Sequence, residues 1–521
     1  MFKQGFGFWS VVSLLLALIV LSPVAIIFVE LFRPVTENWN HVLQYVLVGY
    51  IKNSFILIFG VVSLASIIGI GTSWLVTQFD FFGKKYIEWL MLMPLAIPTY
   101  IMAYCYAGIF LLLTTHHIIP VVDIKNIYGL IFILSFALYP YIYSVCKVSF
   151  SIQNASLLEA SKTMGKGSWA TFFKVALPLS RTAIIGGMSL VVMELLNDYG
   201  AVKYFGIDTI TTGIFRTWFS MGDLNTAIRI CAIALLIVMV FLAAERIQRN
   251  KKNIVETASA SRKLLQKKLK GFYSATAFFI CLLPILFGFI FPLLQIIYWT
   301  ILTASHTFNL EFFGLLFNTI TLASIAAILC IVAGIIFNFS KNWELSWALR
   351  IFTRLSTTGY AIPGAVIAIG ILVPALYIDK NFSASYSLLN YTVIFLLFAY
   401  VVRFIAVSNN ALESNFKKIS PQLTAAARMM GKSSFATLFK VHLPLVTPGL
   451  LSAFLLVFVE VIKELPLTLI LRPFDYNTLA TKCFEMASDE RVAEAGNYAL
   501  VIIATGLVPV IMLNRFSSKK K

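Results

Sequence analysis

The chain has 521 residues, of which 59% are hydrophobic and 12% charged, with a mean hydropathy of +0.87. An ordinary soluble domain is about one quarter charged, so this composition excludes a soluble globular protein and any disordered or fibrous one, and it points to an all-α polytopic membrane protein. Lys and Arg number 41 against 23 Asp and Glu, a net charge of +18; in a membrane protein that excess collects in cytoplasmic loops against anionic headgroups, so nucleic acid is not an expected partner.

In chain order, Lys3 precedes an apolar run from Phe8 to Phe32, too long for a signal-peptide core and without a small-residue cleavage site. It is expected to be a retained first transmembrane helix. Apolar stretches of the length that crosses about 30 Å of hydrocarbon fall near 10–32, 54–79, 87–113, 127–150, 182–200 and 226–246, and again near 272–302, 316–340, 350–378, 388–412, 447–470 and 496–513. The prediction is about twelve spans in two sets of six. Between the sets, Arg246 to Lys270 carries nine basic residues against the single acid Glu256, which marks a cytoplasmic linker and places both termini on the same cytoplasmic side. The expected organisation is a first repeat over 1–247, a basic linker over 248–270 and a second repeat over 271–521.

The two halves repeat each other. Ala160–Leu179 and Ala426–Leu445 align without a gap at an offset of 266, with 13 of 20 positions identical. Earlier in each half, Ala96-Ile97-Pro98 matches Ala361-Ile362-Pro363, and Asn53-Ser54 resembles Asn318-Thr319. Six spans, an even number, separate equivalent points, so the copies share one orientation and are related by an axis along the membrane normal. Each repeated segment sits between the fourth and fifth spans of its half, on the basic side. The residues predict a short helix ending at a glycine, Gly165 or Gly431, then a second short helix stopped by Pro178 or Pro444. Such a hairpin can protrude from the membrane as a knob.

The segments Glu159-Ala160-Ser161 with Gly165 and Leu177-Pro178, and Ala425-Ala426-Ala427 with Gly431 and Leu443-Pro444, resemble the EAA loop of ABC-importer permeases. In that family the loop is the coupling helix that sits in a groove of the ATPase subunit. The resemblance implies ATPase-coupling roles for Glu159, Ala160, Gly165, Pro178, Ala426, Gly431 and Pro444, within loops at about 155–180 and 420–446. The second copy lacks the Glu. Two such loops in one chain imply a fused permease contacting two copies of an ATPase subunit, in a bacterial inner membrane, with a periplasmic binding protein delivering the cargo. Gly431-Lys432-Ser433 looks like the tail of a P-loop, but the pattern needs a Gly where Ala426 stands. The chain is therefore read as a transport subunit, not an enzyme, without a nucleotide site or cofactor of its own.

After the fifth spans, Met193-Glu194-Leu195-Leu196-Asn197-Asp198-Tyr199-Gly200 and Glu460-Val461-Ile462-Lys463-Glu464-Leu465-Pro466, taken with the twelve-span layout, look like the ferric-iron permeases of bacteria. Fused permeases for thiamine or phosphonate share much of the layout, and a secondary transporter with parallel repeats is a further alternative. From the residues themselves, Glu194 and Asp198 are spaced i, i+4 on one helix face, and at the offset of 266 Glu460 and Glu464 repeat that spacing. Carboxylates within a span usually face a polar path or a partner. Four around a pseudo-twofold axis suit a hard cation that prefers oxygen ligands, while local satisfaction, for example of Glu460 by Lys463, is the competing reading. No metal ligand is assigned. His116-His117 reads as surface loop, Arg403 as equally able to pair with a helix-end carbonyl, and the six single cysteines as packing residues.

Overall fold

The computed structural model describes residues 7–120, 122–152, 161, 163–165, 167–250, 266–343, 347–382 and 392–518. Among these, nine helices are long and apolar enough to cross a membrane, and two bent helix pairs have the length and apolarity to do so when taken together. The apolar stretch Val492–Val508 occupies the twelfth predicted position. The first half comprises Phe8–Glu30, Glu37–Gln78, the pair Lys84–Ala96 with Thr99–Thr115, Ile127–Ile152, the pair Ser168–Leu179 with Arg181–Asn197, and Leu224–Asn250. The second comprises Gly271–Ser305, Leu310–Trp343, Trp347–Ser356 followed by Gly364–Phe382, Thr392–Phe416, Ser434–Ile462 and Val492–Ser518. Large apolar side chains such as Phe59, Ile67 and Phe317 remain exposed on the outside of the bundle, as lipid contact requires.

The third span of each half is broken, where apolar length alone predicts one continuous crossing. In the first half the two segments meet at 97°. The cause is local: a residue before proline is pushed out of the α region. Ile97 lies at φ −98°, ψ 115° and Ile362 at φ −83°, ψ 128°, each before its proline. The fifth span departs from expectation in a different way. The helix does not stop at Pro178 but continues to Leu179 and bends by 71° at Ser180, while in the second half it runs through Pro444 without interruption. In both halves a wide i→i+5 turn, Phe172–Ala176 or Leu438–His442, precedes the Leu-Pro-Leu triplet. Each proline then stands in a first helical turn, where its missing N–H breaks no ladder.

The halves exchange their leading spans. Phe8–Glu30 packs on Trp347–Ser356 and Gly364–Phe382 of the second half, and Gly271–Ser305 packs on Thr99–Thr115 of the first half as well as on the final helix. Ser356 donates to the carbonyl of Ala17 at 3.3 Å, and the Tyr106 hydroxyl to that of Phe287 at 2.5 Å. Hydroxyl-to-carbonyl bonds of this kind hold helices together where lipid removes the hydrophobic drive between them. The linker end is fixed too, since Lys267-Lys268 pairs in parallel with Phe79-Asp80.

Candidate functional site

Two places in this fold gather the residues singled out by the repeat. The first is the pair of hairpins. Glu159 and Ala160 lie outside the described residues. In the second hairpin Ala426 belongs to the helix Pro421–Met429, which closes at Gly431, φ 70°. The Lys432 N–H reaches the Ala427 carbonyl at 3.1 Å and the Gly431 N–H that of Arg428 at 3.0 Å, the paired bonds of a helix end closed by a left-handed residue. Gly165 has φ 76° in the matching place. Side-chain bonds tie the arms of each hairpin, Ser161 to Thr171 at 3.0 Å and Thr424 to His442 Nε2 at 3.1 Å. Met164, Trp169 and Phe173 are exposed, and so are their counterparts at the offset of 266, Met430, Phe435 and Phe439. Each hairpin thus presents three apolar side chains at matched positions to its surroundings.

The second place lies where the fifth spans end, between the halves. Glu194, Asp198, Glu460 and Glu464 all line one cavity of about 80 Å3, together with Tyr141, Arg403 and Lys463. Each carboxylate already has partners. Glu194 Oε1 accepts from the Tyr141 hydroxyl at 3.2 Å and from the hydroxyl of Tyr360, which comes from the broken third span of the other half. Glu460 faces Lys463 Nζ at 2.8 Å. Asp198 Oδ1 accepts the Ala201 N–H at 3.0 Å and Glu464 Oε1 the Leu467 N–H at 3.2 Å. Each of these two thereby caps the short helix beyond it, Gly200–Tyr204 or Pro466–Leu471, where a negative charge at the N-terminus is favourable. Ala201 and Leu467 are themselves 266 apart, so the duplication has kept the cap intact. Glu464 also accepts from the Thr468 N–H and hydroxyl at 3.1 and 2.9 Å, and Arg403 Nε stands 4.0 Å from its Oε1. Arg403 Nη1 donates to the Ile362 carbonyl at 3.2 Å, which the break at Pro363 leaves outside the helix. Among the described residues no three His, Cys, Asp or Glu side chains are grouped so as to hold a metal ion.

Tyr141, Tyr360 and Asn197 do not stand out in the sequence, because none has a like residue at the matching place in the other half. The structure brings all three into use, with Asn197 Oδ1 accepting the Gly364 N–H at 2.8 Å across the halves. Asn53-Ser54 and Asn318-Thr319 do stand out as a repeat, and the structure supplies their purpose. Ser54 Oγ accepts the Ile210 N–H at 3.1 Å and Thr319 Oγ1 the Leu479 N–H at 2.9 Å. Each pair holds the start of a second short helix, Ile210–Phe215 or Leu479–Ser488, beyond the end of the fifth span.

A twice-repeated bundle with paired hairpins on one face and a cavity between its halves defines a two-half membrane permease. The chain belongs to the family described as binding-protein-dependent transport system inner membrane component, which matches residues 63–253 and 330–516, once in each half. It is similar to the Fe(3+)-transport system permease protein FbpB 2 of Haemophilus influenzae, 24% identical over 90% of both chains. The ferric transport system permease protein FbpB of Actinobacillus pleuropneumoniae is 22% identical over 69% of this chain and 53% of its own length. The sulfate transport system permease protein CysT of Escherichia coli is 24% identical over 37% of this chain and 71% of its own length.

Proposed function

We propose that this permease moves ferric iron, handed over by a periplasmic binding protein, across a bacterial inner membrane into the cytoplasm. The observation that carries the cargo assignment is the extent of similarity. A ferric-iron permease aligns over 90% of both chains, whereas the sulfate permease aligns over only 37% of this one. Transport is driven by two copies of a separate ATPase subunit, one seated on each hairpin, with both termini on the ATPase side. The matched apolar triads Met164, Trp169, Phe173 and Met430, Phe435, Phe439 support that reading, because a protruding apolar surface in water calls for a covering groove. Glu159, Ala160, Gly165 and Pro178 in the first loop, with Ala426, Gly431 and Pro444 in the second, carry the coupling to the ATPase. Residues 1–247 and 271–521 act as the two halves of one pore, joined by the basic linker 248–270.

Within the pore, Glu194 and Glu460 face the cargo path, with Asp198 and Glu464 holding its wall. A transient site has to be weak, because conduction fails when an ion is held too tightly. Carboxylates shared with tyrosine, lysine and backbone partners meet that requirement better than a closed ligand cage. Uptake of labelled iron by vesicles containing the permease, its ATPase and the binding protein tests the assignment, with labelled sulfate as the parallel cargo. ATP-dependent iron uptake that falls when Glu194, Asp198, Glu460 and Glu464 are all replaced by their amides is the expected result. Sulfate uptake without iron uptake refutes the cargo. Normal iron uptake by the amide variant at equal membrane abundance reduces the four carboxylates to structural charges.

A further inference from the structure

Beyond the carboxylate cavity, on the face opposite the hairpins, lies a larger cavity of about 300 Å3. First-half residues Tyr199, Lys203 and Arg216 and second-half residues Arg472 and Phe484 line it. Its charge is opposite in character to that of the inner one. Asp208 is the one acid on its wall, and it is engaged with Arg216, Nη2 to Oδ1 at 3.0 Å. Arg472 uses Nη2 on Glu485, which leaves Nη1 buried and without a hydrogen-bond partner among the described residues. Lys203 is exposed and makes no ion pair among the described residues. The ring of Tyr199 lines both cavities, stacked on Phe215 at 3.6 Å between centroids and 5.6 Å from Phe484 of the other half. The two spaces are thus neighbours, separated by an aromatic septum.

We propose that this outer cavity is a binding site for a small oxyanion, a phosphate-, sulfate- or carboxylate-bearing solute. A buried guanidinium arm with no acceptor leaves a strong donor unused. A planar guanidinium beside a free ammonium is the donor set that fits oxyanions. The volume suits a small solute rather than a protein side chain alone, and the low-dielectric walls strengthen the attraction. A bare hard cation entering from this side meets uncompensated positive charge before it reaches Glu194. Cargo therefore passes the mouth accompanied by an anion. This last consequence rests on the ferric-iron reading; the anion site itself does not.

The test uses the permease with its ATPase subunit in lipid nanodiscs, without nucleotide, iron or binding protein. It is titrated with radiolabelled inorganic phosphate, with sulfate and with citrate, each against chloride at equal ionic strength. Saturable binding of at least one oxyanion is expected, weakened roughly ten-fold by Arg472→Gln and by Lys203→Gln and left unchanged by Glu194→Gln. Binding no better than chloride overturns the site. Where Arg472→Gln fails to fold, Lys203→Gln decides, since its side chain is exposed, and an unchanged affinity there overturns the proposal. Oxyanion binding here, with no ATP-driven iron uptake by the reconstituted vesicles, strikes down the cargo assignment alone, and iron uptake by the vesicles without oxyanion binding here strikes down the anion site alone.

Discussion

Replacing Gly431 separates a connector from a coupling element. Its φ of 70° is a left-handed conformation, and nothing stands within 4 Å of where a Cβ would be placed. Alanine therefore meets no clash and bears only the conformational cost of that region, roughly 1–2 kcal/mol, which lowers the population of the closed hairpin about 5- to 30-fold relative to its alternatives. Proline is worse on two counts. Its ring holds φ near −65°, and it removes the N–H that bonds the Arg428 carbonyl at 3.0 Å. The helix Pro421–Met429 then cannot turn into Ser434–Thr437, and Met430, Phe435 and Phe439 no longer present one surface.

The assay is co-purification of the ATPase subunit and then ATP-driven uptake in reconstituted vesicles, normalised to membrane abundance. Gly431→Ala should retain most of the ATPase and lose part of the uptake, while Gly431→Pro should lose coupling although the chain still inserts. Gly165, at φ 76° and equally free of neighbours, should show the same order. Wild-type ATPase yield together with normal uptake in both proline variants would refute the argument.

In the first loop, Glu159→Ala should be milder than either glycine change, because the second loop has Ala425 at the corresponding place; complete loss of ATPase binding would show that the two loops do different work. A cysteine placed at His116 should react with a membrane-impermeant reagent added outside, and one placed at Ser259 in the basic linker should not; the reverse pattern would invert the orientation. Asp198→Ala should destabilise the protein by the worth of a helix cap, about 1 kcal/mol, read as a lower thermal midpoint. Glu464→Ala should cost more, because it also strands the buried Arg403 guanidinium, and equal midpoints for the two variants would count against that difference. Glu194→Gln should reduce iron uptake more than Glu460→Gln, since Lys463 already neutralises Glu460, and equal losses would argue against an unequal path.

The nine long apolar helices and the two bent pairs were legible because length and apolarity alone decide what can sit in lipid. The break in the third span was written in the sequence as well, in Ile97-Pro98 and Ile362-Pro363, yet an apolar window reads through a proline whose effect is on the backbone of its neighbour. The persistence of the helix through Pro178 and Pro444 has the opposite lesson, since the wide turn that accommodates each proline is set by hydrogen bonds several residues upstream. Exchange of the leading spans had only a faint local signature. Phe8–Glu30 is apolar almost throughout, with the small residues Ser10, Ser13 and Ala17 on its buried face, and its choice of Trp347–Ser356 as a neighbour is a contact between segments more than 300 residues apart.

At the site, duplication picked out four carboxylates that the structure brings to one cavity, but it did not distinguish their surroundings. Spacing of i, i+4 puts two acids on one helix face, and it cannot show that the helix ends between them. Because the fifth spans stop at Asn197 and Ile462, Glu194 and Glu460 remain on the helix wall, while Asp198 and Glu464 fall in the turn and cap the short helices Gly200–Tyr204 and Pro466–Leu471. The capping pair has matching partners in both halves, as selection on a fold would preserve. The wall pair has diverged, one held by two tyrosine hydroxyls and the other by a lysine. A bare pseudo-twofold axis would give both the same surroundings, so the halves differ at the wall where they agree at the caps. The difference leaves the first-half side of the cavity the more acidic, next to Tyr199, which also comes from the first half and has Leu465 as its counterpart in the second.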